Sequence, residues 1–134
     1  MNPNRIEYPL GQFAQMNVLM WNYRGELKPD FKRRIFEMVV NHNMAIMVIM
    51  KTRMGGDRAE RIIANLPFDG FITTETTGYV GGLWVLWMKD EAKIELLAST
   101  EQEIHATIKV HSSSLSWFIS AISGSPWLIE RRII

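Results

Sequence analysis

Two polar residues each close an apolar run. Asn22 follows Asn17 to Trp21, and Lys51 follows Ala45 to Met50. If those runs are neighbouring parallel strands, an amide and an ammonium come together at their carboxyl ends, where open α/β sheets hold their ligands. Any chemical site in this chain starts there. The other residues with chemical potential have simpler readings. Asp57 and Glu60 resemble a pair of catalytic carboxylates, but their spacing fits a helix cap better, with Asp57 as N-cap and Glu60 three residues on. The three histidines are His42, His105 and His111. His42 suits a helix end. His105 and His111 share one face of an alternating strand, which admits a surface metal pair and more simply describes solvated side chains. Lys28, Lys32, Arg33, Arg34, Arg53 and Arg58 form either a solvated helix face or a basic rim suited to a phosphate backbone. Gly81 and Gly82 read as turn formers, because their spacing fits no phosphate-cradling loop.

The element that must position Asn22 and Lys51 is the stretch from Met16 to Thr52. Between the two apolar runs, Pro29 to His42 repeats at helical spacing, with Phe31, Ile35, Met38 and His42 on one side. Pro29 suits a first helical position, and His42 with Asn43 suits the last turn. Continuous apolar strands flanking a helix predict a βαβ unit with parallel strands covered on both faces. Its crossover is right-handed in nearly all known cases, so both strands finish at the same end.

With 134 residues, 47% apolar and 22% charged, the chain is long enough for one cored domain and is not of disordered composition. A formal charge of +1 carries no global nucleic-acid signature. The absence of cysteine excludes disulfides and thiolate metal sites. The nine methionines read as soft core filling. Residues 1–15 read as a poorly ordered leader, interrupted by Pro3, Pro9 and Gly11, with no apolar secretory segment. The apolar runs are too short to span a membrane; they leave location unassigned, nuclear or cytoplasmic if the chain is expressed.

Beyond Thr52, a short helix is predicted over Arg58 to Asn65, burying Ile62, Ile63 and Leu66 and stopped by Pro67. The period then becomes that of strands. Phe71–Thr74 is one, and Leu83–Trp87 is apolar on both faces and therefore central. Ile94, Leu96 and Ala98 alternate with Lys93, Glu95 and Leu97, and Ile104, Ala106, Ile108 and Val110 alternate with His105, Thr107, Lys109 and His111. Ser116–Ile122 is a further strand. Glu130-Arg131-Arg132 reads as a helix opening that the chain does not finish, which gives an expectation of truncation. Trp84, Trp87, Trp117 and Phe118 read as packing residues. The fold class expected is α/β (α+β), a βαβ unit followed by a mostly antiparallel meander.

Five groups then stand in one order: Trp21-Asn22-Tyr23-Arg24-Gly25; Met50-Lys51-Thr52 with Gly55-Gly56-Asp57-Arg58; Phe68-Asp69-Gly70; Gly81-Gly82-Leu83-Trp84-Val85-Leu86-Trp87; and Ser125-Pro126 with Glu130-Arg131. Over Asn17 to Arg132 this resembles the amino-terminal half of the endonuclease/exonuclease/phosphatase (DNase I-like) superfamily. Within it, the chain resembles the endonuclease of plant non-LTR retrotransposons. The resemblance implies a four-layer α/β sandwich, here its first half over residues 16–134, and magnesium-dependent hydrolysis of phosphodiesters or phosphomonoesters. DNA is the partner it implies.

The implied site carries over poorly. Asn22 matches the family's asparagine. Lys51 stands where the family has its metal-binding glutamate, and Ser123 where it has a tyrosine before the serine-proline pair. The family's later Asp-x-Asn and Asp-His pairs have no counterpart up to Ile134. An ammonium has three donors and no lone pair, so it cannot ligate a cation. At 4 Å and an effective dielectric near 20, two unit charges interact by about 4 kcal/mol, so a divalent ion meets roughly twice that as repulsion. The lysine head can swing into water and relieve most of this, but the attraction for metal is gone. The expectation is therefore a truncated, degenerate relative with no bound magnesium and no catalysis of its own. Alternatives are a non-catalytic nucleic-acid-binding module, or a residual nuclease completed by a second chain. An unpaired sheet edge and an uncovered apolar sheet face would favour self-association.

Overall fold

The computed structural model describes residues 5–9, 17–23, 28–77, 80–112, 116–122 and 127–133. Of residues 5–9, 17, 22, 77, 80 and 127–133 it describes the backbone alone. The βαβ unit is present. Strands β2 (Asn17–Asn22) and β3 (Met44–Met50) pair in parallel, with Asn22 opposite Met50. Helix α1 (Phe31–His42) is their crossover. It starts two residues after Pro29 and ends where Asn43 turns left-handed at φ 51°. Phe31 and Ile35 are buried and Met38 and Val39 pack partly, whereas His42 is exposed.

All seven residues of β3 are buried, as a strand covered on both faces requires. Strand β7 (Trp84–Trp87) lies between β3 and β4 (Gly70–Thr73), antiparallel to both, so the run apolar on both sides is an interior strand. Gly70 is opposite Trp87, and any Cβ there would overlap the indole.

The leader departs from its sequence reading. Residues 5–9 form strand β1 (Arg5–Pro9), antiparallel to β2 at the sheet edge. Proline interrupts a central strand but is tolerated at an edge, which is why Pro9 did not prevent pairing.

Helix α2 (Gly56–Ile63) begins and ends two residues before the predicted span. Its N-cap is Gly55, with no side-chain cap bond, so the Asp57–Glu60 capping box does not form. Asp57 instead lies in the first turn, where a carboxylate favours the positive helix end. Ala59 and Ile63 face the core, Ile62 packs partly, and Leu66 follows them into it.

A short ribbon of β5 (Thr76–Thr77) and β6 (Val80–Gly81) leads from β4 to β7. The second sheet is wholly antiparallel: β8 (Ala92–Ser99), β9 (Glu103–Val110), β10 (Ser116–Ile122) and β11 (Trp127–Ile133), adjacent in chain order. Strand β11 replaces the helix opening expected at Glu130, and seven residues of it pair with β10. The charged triplet misled. Around it, Trp127, Leu128, Ile129 and Ile133 supply β-favouring and apolar residues that suit a hairpin partner. The unfinished helix thus gives no support to truncation.

The layers follow from two apolar clusters. Val18, Met20, Val48 and Val85 of the first sheet meet Ile104, Ala106, Ile119 and Ala121 of the second. Leu19, Met47, Ile49 and Leu86, on the first sheet's opposite face, meet Phe31, Ile35, Ala59 and Ile63 of the helices. The order is helices, mixed sheet, antiparallel sheet, an α+β fold. On the second sheet's outer face, among the described residues, Lys93, Glu95 and Lys109 are exposed, with Thr107 and Phe118 half-buried. No helix in the described residues is long and apolar enough to cross a membrane.

Candidate functional site

Asn22 and Lys51 come together as the parallel crossover requires. Asn22 is opposite Met50, and the Tyr23 N–H donates to the Met50 carbonyl at 3.0 Å, so residue 51 leaves β3 beside the end of β2. Tyr23 is held by aromatic packing. Its ring lies edge-on to Trp21 and Phe31, at 4.8 and 5.1 Å between centroids. Its hydroxyl accepts the Lys28 N–H at 2.7 Å, bringing that exposed lysine back towards the same end.

Lys51 is half-buried at φ 60°, and Arg53 is exposed at φ 58°. Left-handed backbone is unusual for such residues. Thr52 between them holds the bend. It is 1% exposed, its N–H donates to the Gly82 carbonyl at 3.1 Å, and its hydroxyl donates there at 2.7 Å. Its oxygen also accepts the Met54 N–H at 3.2 Å. The Met54 carbonyl in turn accepts the Trp84 indole N–H at 2.9 Å. Gly82 has φ 80°, and a Cβ on it would overlap the Arg53 nitrogen. The loop after β3 is thus clamped onto the residues entering β7. Gly81-Gly82 is legible in the sequence as a turn, but the Thr52 contact is not, because 30 residues separate the clamp's two halves.

The same end reaches the second sheet through Thr74. It is buried, its hydroxyl accepts the Leu83 N–H at 3.0 Å, and the same hydroxyl donates to the Glu101 carbonyl at 3.0 Å. Glu101 and Glu103 line a cleft of about 580 Å³ with Ile122, the last residue of β10. Ser123 follows Ile122 and lies outside the described residues.

The magnesium ion implied by the resemblance does not fit this donor set. A hard divalent cation needs several oxygen ligands. Residue 51 offers an ammonium, and the Thr52 oxygen is already committed to backbone. Among the described residues, no three His, Asp or Glu side chains converge.

No protein-family model matches this chain, and no curated protein does.

The remaining candidates divide. Of the six cations considered, three are engaged on α1: Arg33 pairs with Glu37 at 2.8 Å and Asp30 at 3.6 Å, Arg34 lies 4.9 Å above the Trp21 ring, and Lys32 lies 5.8 Å from the Phe36 ring. Lys28, Arg53 and Arg58 are exposed, and Arg53 is engaged as well. The His105 Nδ1 meets the Ser120 hydroxyl at 2.8 Å, with Glu103 3.6 Å from its Nε2. His111 lies in the turn after β9, its Nδ1–H donating to the Asp90 carbonyl at 3.1 Å. The two rings are therefore held by different partners and form no metal pair. Trp84, Trp87 and Trp117 are buried packing residues.

Proposed function

We propose that this chain is a relative of the DNase I-like, retrotransposon-type endonucleases that has lost metal-dependent phosphodiester cleavage. The observation that carries the reading is Lys51: it follows directly after the residue paired with Asn22, at the position where the resemblance has a metal-binding glutamate. The five motif groups and the two face-to-face sheets support the family half of the reading. The chemistry of an ammonium supports the loss. The test is magnesium affinity measured by calorimetry on the folded chain and on Lys51→Glu. The substitution should raise affinity at least about tenfold, because it replaces repulsion with a hard anionic ligand. Equal affinities would mean that residue 51 is not the former ligand position.

A second reading is nucleic-acid binding without cleavage. It is favoured by Lys28, Lys51 and Arg53 gathering near one strand end. Each phosphate neutralised should steepen the fall of affinity with salt by about one unit of log–log slope. Anisotropy titrations of labelled DNA against Lys28→Ala and Arg53→Ala would measure it. A slope unchanged in both variants would remove this reading.

A further inference from the structure

The outer edge of the second sheet is β8, which pairs with β9 and with no other strand among the described residues. Natural edges are blunted by bulges, lysines and short strands. Here the irregularity falls between Leu96 and Ala98, so Ala92 to Leu96 remains a regular strand with a free edge. On its inner side lie Ala92, Ile94 and Leu96, opposite Val110, Ile108 and Ala106. Leu96 is 47% exposed although its partner Ala106 is fully buried, so it overhangs the core at the rim. On the outer side lie Lys93 and Glu95, 3.0 Å apart and both well exposed.

Independently of the nuclease reading, we propose that this edge pairs antiparallel with β8 of a second copy, about a two-fold axis at Ile94. The register is fixed by elimination. Paired residues in an antiparallel ladder share a face, so a symmetric pair that keeps the apolar side continuous must be centred on a residue. Centring on Lys93 or Glu95 sets like charges opposite each other, which destabilises cross-strand pairs. Centring on Leu96 runs the pair through the bulge. Centring on Ala92 sets the strand against the turn at Lys89 to Glu91. Centring on Ile94 sets Ile94 against Ile94 of the partner subunit and the overhanging Leu96 against Ala92 of the partner subunit. It also sets Lys93 against Glu95 of the partner subunit, twice. The lysine that would guard this edge against other strands is thus matched by the edge's own glutamate, making the surface selective for itself.

The test uses charge reversal in the whole chain, followed by sedimentation velocity from micromolar to millimolar protein. The wild type should show concentration-dependent dimerisation. Lys93→Glu and Glu95→Lys should each weaken it by about tenfold, since two attractive cross-strand pairs become repulsive. An equimolar mixture of the two variants should regain a dimer, because all-acidic and all-basic edges then face each other. The double swap Lys93→Glu with Glu95→Lys, which also keeps the pair within the strand, should associate like the wild type. A wild type monomeric to millimolar concentration, single variants that associate like it, a mixture no heavier than its components, or a double swap that stays monomeric would each overturn the proposal.

Discussion

The two sheets of this molecule bury their residues differently. In the first, the interior strands β3 and β7 are buried along their whole length, because helices cover one face and the second sheet covers the other. In the second, β9 alternates, with Ile104, Ala106, Ile108 and Val110 buried and Lys109 exposed. A strand covered on both sides has room for polar chemistry only where it ends, so the first sheet offers Asn22 and Lys51 at its carboxyl edge. A strand covered on one side keeps a polar face and an open margin, which suits contact with another molecule.

This contrast can be tested by stability measurements in urea. The largest effect should come from Trp84→Ala, in an interior strand with no exposure and an indole bonded to the Met54 carbonyl. A loss of about 3–5 kcal/mol is expected, against less than about 0.5 kcal/mol for Lys109→Ala on the second sheet's outer face. Comparable losses at the two positions would break the distinction. Next is Gly82→Ala, which adds left-handed strain and an overlap with the Arg53 nitrogen. It should cost roughly 2–4 kcal/mol.

Thr52→Val keeps the volume and removes the hydroxyl that joins Gly82 to Met54. The expected loss is about 1–3 kcal/mol, because buried backbone groups lose a partner. Smallest is Lys51→Gly, which relieves a positive φ and should stabilise the chain by up to about 1 kcal/mol. Destabilisation by this change would mean that the lysine side chain supports the loop, in place of merely occupying it.

Much of the fold was legible where a pattern was local and long. The parallel unit and the interior position of β7 followed from continuous apolar runs, and β9 from strict alternation. Strand β1 is not legible locally, because proline breaks a central strand but is tolerated at an edge, and only the folded sheet makes residues 5–9 an edge. Strand β11 was hidden because Glu130-Arg131-Arg132 outweighed its β-favouring neighbours. The α2 cap was misplaced because Gly56 starts the helix at φ 55°, ahead of the residue with a capping side chain. For the site, the meeting of Asn22 and residue 51 at one end of the sheet followed from the parallel pairing of β2 and β3. The Thr52–Gly82 clamp and the Thr74–Glu101 link were out of reach, because each joins residues that only the folded topology brings together.

The most direct measurement is the nicking of supercoiled plasmid by the folded wild-type chain, with magnesium and with chelator. The lysine at residue 51 predicts no difference between the two conditions. Chelator-sensitive nicking that Asn22→Ala abolishes would contradict it, for the metal would then be working beside an ammonium that should repel it.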